Sequence, residues 1–263
     1  LSADFRCNID TMMVESSCLS SIWETDEVTE NYYGIHGRSA YFKPLKAYGT
    51  AYYDTIITVD LNKAQSMIAM PFHPSNVYTI HEFQEHAEEI FDSVQKEADE
   101  LFGIGALSFK DKVKNHRPYA DQGSVAGCAG GLYENLMEMA AILEGKSLGN
   151  NGLTAYPSSM PVNLALTRAG AVETLLSSGV IMKPCICGSC SGYGDTPANQ
   201  AFSIRHATRN FPNREGSKPN EKQYSSVALM DARSIAATAA NGGRVTAGTD
   251  AAYTVPDMTY TFD

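Results

Sequence analysis

Strand-like and helix-like segments alternate along this chain between residues 124 and 182. Residues 124–128 are small and run into a glycine turn, after which residues 132–143 have the apolar spacing of a helix. The same order then repeats, as strand, helix and strand, over residues 153–156, 162–177 and 180–182. This alternation predicts an α/β fold with a parallel sheet and helices on both faces, whose sites lie at the carboxyl ends of the strands.

Three further segments have clear periodicity. The β-branched residues of 53–61, YDTIITVDL, predict a strand. A stripe of apolar residues from 79 onwards predicts a surface helix that reaches residue 101. The alanine-rich residues 225–240 predict a helix able to pack closely on the sheet, stopped by the glycines at 242 and 243.

Composition excludes some classes of function. The 263 residues are 43% hydrophobic and 19% charged, which is ordinary for a packed protein with a sizeable core. The 30 acidic and 20 basic residues give a net charge of -10, which disfavours a protein that coats nucleic acid. No apolar run has the length of a membrane span, and the amino end lacks the pattern of a secretory signal. We therefore expect small-molecule or protein partners, no membrane partner, and a cytoplasmic location, or the mitochondrial matrix in a eukaryote.

Chemistry-bearing residues concentrate between Lys183 and Gly216. Cys187 and Cys190 form a CxxC pair, Cys185 lies just before them, and Cys128 lies upstream in the glycine turn. A CxxC alone is compatible with a dithiol redox site, half a zinc site or part of an iron–sulfur site. A zinc ribbon needs a second pair, and only Cys128 is available, so three thiolates favour a cluster with one open iron. The position of Cys128 at the amino end of a helix predicts a lowered thiol pKa.

Two arginines and one glutamate are the candidates for contact with a substrate. Arg209 and Arg214 belong to the frame RNFPNR, and their guanidinium forks suit carboxylates, although surface arginines in a loop would have the same pattern. Glu15 is a single acid within an apolar, helix-like segment, and it is either functional or simply exposed.

Three motifs together resemble those of the aconitase superfamily. The stretch CGSCSG at 187–192 is similar to the family's Cys-Gly-Pro-Cys-Ile-Gly, and RNFPNR at 209–214 resembles its Arg-Asn-Phe-x-Gly-Arg. The stretch GCAGGLYENL at 127–136 resembles its Gly-Ser-Cys-Thr-Asn turn and the following helix. Weaker matches lie at 53–74 and 227–243, so the order holds over nearly the whole chain.

The resemblance implies a function and a set of residue roles. Cys128, Cys187 and Cys190 would bind a 4Fe–4S cluster, whose fourth iron acts as a Lewis acid in the removal and return of water. Arg209 and Arg214 would bind substrate carboxylates, and Glu15 would be the acid beside the leaving water. The implied activity is that of an aconitate hydratase-like hydro-lyase acting on a hydroxy di- or tricarboxylate, as in tricarboxylic acid metabolism.

The resemblance also implies a domain organisation. Residues 1–75 would end a preceding aconitase-like α/β subdomain, and residues 76–263 would form the three-layer domain that bears the cluster. The chain begins at Leu1, and the family's Asp-Ser-His segment and carboxyl-terminal domain have no counterpart in it. We therefore expect a central fragment, inactive alone, whose partners include the remaining domains of the same protein.

Departures from the family pattern support an alternative. Polar residues of the family pattern are replaced by Ala129 and Gly130 after the first cysteine. They are also replaced by Thr208 before the arginine frame and by Thr11 before the glutamate, and Asn213 replaces a family glycine. Because these changes remove polar partners, the alternative is a non-catalytic, aconitase-like binding or regulatory protein. A zinc or dithiol module is the third possibility. Cys185 is additional, either a bystander or a disulfide partner for Cys187 or Cys190 in the apo protein.

Overall fold

The structure is a computed structural model that describes residues 1–260. Its helices are α1 Ala3–Met12, α2 Glu27–Ile35, α3 Ile80–Glu85, α4 Ala87–Phe102, α5 Gly127–Gly130, α6 Tyr133–Leu143, α7 Met160–Arg168, α8 Ala171–Ser178 and α9 Ala232–Ala240. Its strands are β1 Met67–Ala69, β2 Val77–Thr79, β3 Val113–Lys114, β4 Arg117–Pro118, β5 Gln122–Ala126, β6 Gly152–Tyr156, β7 Ile181–Met182, β8 Phe202–His206 and β9 Ser226–Met230.

Seven of these strands form one mixed sheet. The order is β2-β1-β9-β8-β5-β6-β7, while β3 and β4 form a separate pair. The five strands from β9 to β7 are parallel, and β1 and β2 add an antiparallel pair at the β9 edge. The predicted α/β class with a parallel-rich sheet is therefore confirmed.

The two faces of the sheet differ in chemistry because side chains alternate along each strand. One face presents Leu153, Phe202 and Ile204 to the main hydrophobic core, where α4, α6 and α9 also contribute side chains. Phe91 of α4 lies against Phe202, with ring centroids 5.4 Å apart. The opposite face is here called the polar face. It carries buried polar residues at the alternate positions: Ser124 of β5, Thr154 and Tyr156 of β6, and Ser203 and Arg205 of β8.

Most of the predicted elements are present, with local corrections. The strands and helices predicted between residues 124 and 182 are confirmed as β5, α6, β6, α7, α8 and β7. The helix predicted at 162–177 is interrupted at Gly170, whose positive φ of 78° ends α7 and begins α8. The helix predicted from residue 79 is confirmed, with a break at His86 between α3 and α4.

Two predictions were wrong. Residues 53–61 form no strand: they are irregular, and Ile56 and Ile57 are 82% and 84% exposed. Residues 225–240 are not one helix, because 226–230 form the buried strand β9 and α9 begins only at Ala232. The carboxylate of Asp231 accepts a hydrogen bond from the backbone N–H of Ser234, and this cap fixes the start of α9.

The amino-terminal residues contribute to the same sheet at one point. Strand β1, at residues 67–69, lies before the predicted boundary at residue 75 and pairs with β9. The division into domains 1–75 and 76–263 itself stays a prediction. Within residues 1–260, no helix has the length and hydropathy that a membrane crossing requires.

Candidate functional site

The predicted cysteines come from two segments at the carboxyl ends of parallel strands. Cys128 follows β5 and lies in α5, whereas Cys187 and Cys190 follow β7. A Cβ placed on Gly127 would lie 3.6 Å from the Cα of Cys187, so the two segments are in direct contact. The fold therefore brings the three cysteines of the predicted set into one region.

The thiols of this set influence one another electrostatically. The pKa of the Cys128 thiol is raised, first by partial burial and then by the proximity of Cys190 and Cys187. The predicted lowering of this pKa is thus wrong. The backbone N–H groups of Cys128 and Ala129 do act in the predicted direction, but burial and the neighbouring thiols outweigh them.

Cys185 stands apart from these three thiols. Its Sγ lies 3.7 Å from Sδ of Met160 in α7, and all six cysteines are free thiols. Among residues 1–260, no three His, Cys, Asp or Glu side chains are placed to share one metal ion. The predicted ligands therefore lie close together without converging on a single ion position.

Glycines permit the close approach around the CxxC pair. Gly188 has a positive φ of 45°, and a Cβ there would lie 2.2 Å from the ring of Tyr156. A Cβ on Gly194 would lie 2.8 Å from the hydroxyl of the same tyrosine. The segment 187–195, here called the cysteine loop, therefore wraps closely over the end of β6.

The cysteine loop is anchored to the polar face at Ser189. The Oγ atoms of Ser189 and Ser124 are 2.7 Å apart, and Thr154 donates a hydrogen bond of 2.9 Å to Ser124. Ser189 is 1% exposed, so these hydroxyls satisfy one another without bulk water. Ser189, one of the two residues between Cys187 and Cys190, is thereby tied to β5 and, through Ser124, to β6.

A second anchor lies at Asp195. Its carboxylate accepts a 2.6 Å hydrogen bond from the Tyr156 hydroxyl and lies 3.5 Å from Nζ of Lys183. Burial, and then the contact with Asp195, raise the pKa of Tyr156, so the phenol remains a donor at neutral pH. Neither Tyr156 nor Asp195 is among the residues that the sequence motifs identify.

Arg205 is the main residue that sequence reasoning missed. It lies in β8, is 1% exposed, and donates to the carbonyl oxygens of Ser189 and Asp195. Burial lowers its pKa to about 10, which leaves it charged at neutral pH. The available signal was a single arginine within the otherwise strand-like run AFSIRH, four residues before Arg209.

The arginine frame begins directly beside the cysteines. The hydroxyl of Thr208 lies 3.4 Å from the Sγ of Cys190. Asn210 is 3% exposed and donates a 2.6 Å hydrogen bond to the carbonyl of Met70, which ties the frame to the segment after β1. The asparagine of the motif therefore has a structural role here, because it fixes the arginine frame to the segment after β1.

Glu15 and Arg209 meet directly. Oε1 of Glu15 lies 2.5 Å from Nε of Arg209, and the side chains are 18% and 24% exposed. The angle between them is not that of a hydrogen bond, so both atoms lack a hydrogen-bond partner among the described residues. Arg214, by contrast, is exposed. The structure thus brings Glu15 and Arg209 together, next in the chain to the Thr208 that contacts Cys190, and leaves Arg214 exposed.

Comparison with known proteins identifies one family and relatives that share one name. A sequence model of the family described as Aconitase family (aconitate hydratase) matches residues 1–237. The chain is 26% identical over 238 residues to the 3-isopropylmalate dehydratase large subunit of Caldicellulosiruptor bescii, a match that covers 89% of this chain. It is 26% identical over 235 residues to the protein of the same name from Campylobacter hominis, covering 88% of this chain. The protein of that name from Nitratidesulfovibrio vulgaris is 25% identical over 245 residues, covering 92%.

The matched region is only part of each relative. The alignments cover 48%, 49% and 50% of these three proteins, so the chain spans about half the length of the curated relatives it matches.

Proposed function

Because this chain belongs to the aconitase family, we propose that its full-length protein is a hydro-lyase that removes and returns water at a hydroxy di- or tricarboxylate. The observation that carries the proposal is that the Glu15–Arg209 pair adjoins the cysteines in the chain fold, because Thr208, the neighbour of Arg209, lies 3.4 Å from the Sγ of Cys190. The relatives named dehydratases support the reaction type.

The donor set has the ligand chemistry of an iron–sulfur cluster, which cysteine thiolates hold. Cys128, Cys187 and Cys190 are free thiols that interact electrostatically, yet no three potential ligands among residues 1–260 are placed to share one ion. In a 4Fe–4S cluster each cysteine binds a different iron, so its ligands need not converge on one point. These three residues would hold the cluster, which would supply Lewis-acid chemistry toward a substrate hydroxyl.

The chain's own residues would bind the substrate and move a proton. The guanidinium of Arg209 contacts Glu15 through Nε, so its terminal nitrogens remain to bind a substrate carboxylate. Arg214, exposed at the other end of the frame, would bind a second carboxylate. Glu15, held by Arg209, would exchange a proton with the oxygen that leaves as water. The substrate and the remaining domains of the same protein would complete the site.

Reconstitution of the full-length protein with ferrous iron and sulfide under anaerobic conditions tests the cofactor. We expect iron–sulfur absorbance that is lost in Cys128→Ser, Cys187→Ser and Cys190→Ser. Cys185→Ser is the matched control: it lies in the same segment but faces Met160, and it should retain the absorbance. A colourless protein with one bound zinc, or equal behaviour of all four variants, would contradict the cluster.

The reaction is tested separately with the reconstituted protein. Dehydration of hydroxy-tricarboxylates and of isopropylmalates is followed by the absorbance of the unsaturated product. Arg209→Lys should lower kcat/KM by about tenfold or more, because lysine cannot bind a carboxylate through a planar fork. Full activity in this variant would remove the role of Arg209, whereas a bound cluster without any turnover would favour the non-catalytic alternative.

A further inference from the structure

Arg205 is a buried cation without a carboxylate in direct contact. Within residues 1–260 no Asp or Glu oxygen lies within 4.0 Å of its guanidinium, and its hydrogen-bond partners are carbonyls and a hydroxyl. A buried charge is costly unless hydrogen bonds compensate it. The carboxylates of Glu215 and Asp195 attract this charge without direct contact, whereas the guanidinium contacts the carbonyls of Ser189 and Asp195 and the hydroxyl of Ser203 directly.

The guanidinium spans the cysteine loop. One terminal nitrogen donates to the carbonyl of Ser189, and the other donates to the carbonyl of Asp195 at 2.6 Å. Its Nε lies 3.4 Å from Oγ of Ser203 on the same strand. Two carbonyls at separate points of one loop are thus fixed by a single planar group that β8 orients.

The loop needs such a restraint. Its residues 187–195 include the glycines 188, 192 and 194, which leave the backbone with high conformational entropy. Internal support consists of weak turns, such as the hydrogen bonds from the N–H of Cys190 to the carbonyl of Cys187 and from Ser191 to Gly188. The side chains of Ser189 and Asp195 are anchored by Ser124 and Tyr156, and Arg205 adds a restraint on the backbone carbonyls of the same two residues.

We propose that Arg205 is a positioning residue, which clamps the cysteine loop through the Ser189 and Asp195 carbonyls and so holds Cys187 and Cys190 in place for the cluster. This inference rests on the proposed function, since it gives the residues of that same site their support. Arg205 touches neither substrate nor thiol in this role. It acts through the backbone of the loop, and its planar fork, rather than its charge alone, is what the loop requires.

Hydrogen–deuterium exchange on the full-length apo protein tests the clamp. In Arg205→Lys and Arg205→Met we expect the amides of Cys190 and Ser191 to exchange about tenfold faster or more, as the loss of a charge-assisted hydrogen bond implies. Arg205→Lys keeps the charge but loses the fork, so it should resemble Arg205→Met. Amides of the central strand β5 report that each variant is folded.

Arg233→Lys is the matched control. Arg233 is an arginine of α9 that pairs with Glu138 at 3.5 Å and with Asp231, not with a carbonyl of the loop, so the same substitution there should leave loop exchange unchanged. After reconstitution, the absorbance of Arg205→Lys should bleach faster with a chelator than that of the wild type and of Arg233→Lys. Loop exchange and bleaching rates in Arg205→Lys equal to those of the wild type would overturn the clamp.

The two proposals can fail separately. If the wild-type protein takes up no cluster while Arg205→Lys loosens the loop, the cofactor proposal fails and the clamp stands. If the wild type binds the cluster and Arg205→Lys holds it with unchanged loop exchange, the clamp fails and the proposed function stands.

Discussion

At the scale of single residues, Glu15 and Arg209 attract each other as opposite charges, but the two contacting atoms do not form a hydrogen bond. Both side chains are largely buried, at 18% and 24% exposure, and Oε1 and Nε lie 2.5 Å apart without hydrogen-bond geometry. A partly buried charge that loses its partner keeps its desolvation cost and loses the compensating attraction. The pair therefore contributes to stability, and a substrate carboxylate would meet an arginine that is already oriented.

Substitution at this pair gives the first stability prediction. Arg209→Ala should lower the free energy of unfolding by about 1–3 kcal/mol, because Glu15 then remains partly buried without its cation. Arg214→Ala, in the same frame but exposed, should change it by less than about 0.5 kcal/mol. Urea denaturation of the two variants measures the difference, and equal effects would show that the ion pair does not stabilise the fold.

At the scale of elements, burial decides which apolar segments become strands. Residues 53–61 have a strong β pattern but no partner strand among residues 1–260. Strand β1 is shorter, but it pairs with β2 and β9, and its Ile68 is fully buried. A pleated backbone is stabilised by its neighbours in the sheet, so a local pattern cannot by itself form a strand.

Two isoleucines make this difference measurable. Ile68→Ala should lower the free energy of unfolding by about 2–5 kcal/mol, since it opens a cavity in the main core. Ile56→Ala removes the same atoms from a side chain that is 82% exposed and should change stability by less than about 0.5 kcal/mol. Thermal or urea unfolding provides the comparison, and a large effect at Ile56 would mean that residues 53–61 are packed in solution.

At the scale of the whole molecule, two kinds of buried titratable group change the free energy of unfolding in opposite directions as pH falls. Burial raises the pKa of the Asp4, Glu134 and Glu138 carboxyls, so these groups favour the folded state as pH falls. His206 acts in the other direction. It is 9% exposed, contacts Asn8 through Nε2 at 3.2 Å, and has its pKa lowered to about 4 by burial.

The histidine therefore predicts a loss of stability in mild acid. Between pH values of about 6.5 and 4 the unfolded chain binds a proton at this position and the folded chain does not, so stability falls as pH falls through this range. From pH 7 to pH 4 the wild type should lose up to about 3 kcal/mol more than His206→Gln, at about 1.4 kcal/mol per pKa unit.

Urea denaturation at a series of pH values measures this difference. The comparison isolates the histidine, because the carboxyl groups are present in both proteins and their effects cancel. Parallel stability curves for the wild type and His206→Gln would show that His206 binds protons equally in the folded and unfolded states. The histidine would then not cause the loss of stability in acid.

The predictable part of the fold was the part with its own periodicity. Elements β5, α6, β6 and the α7–α8 region follow from alternating apolar patterns and glycine turns, and so does the α/β class. Strand β8 was missed because Ser203 and Arg205 interrupt its apolar pattern on the polar face. The sequence pattern does not separate strand β9 from α9, because the run SSVALM has no breaker before the Asp231 cap.

The residue types of the site and, through its motifs, the family of the chain can be recognised in the amino-acid sequence alone. The contacts of the Gly127 turn with Cys187, of Glu15 with Arg209, and of Arg205 with carbonyls of the cysteine loop become visible only in the folded chain. These contacts join residues far apart in the chain, or depend on which face of a sheet a side chain occupies. Local patterns record which residues are apolar or polar, whereas the stacking of parallel strands determines which of them share an edge.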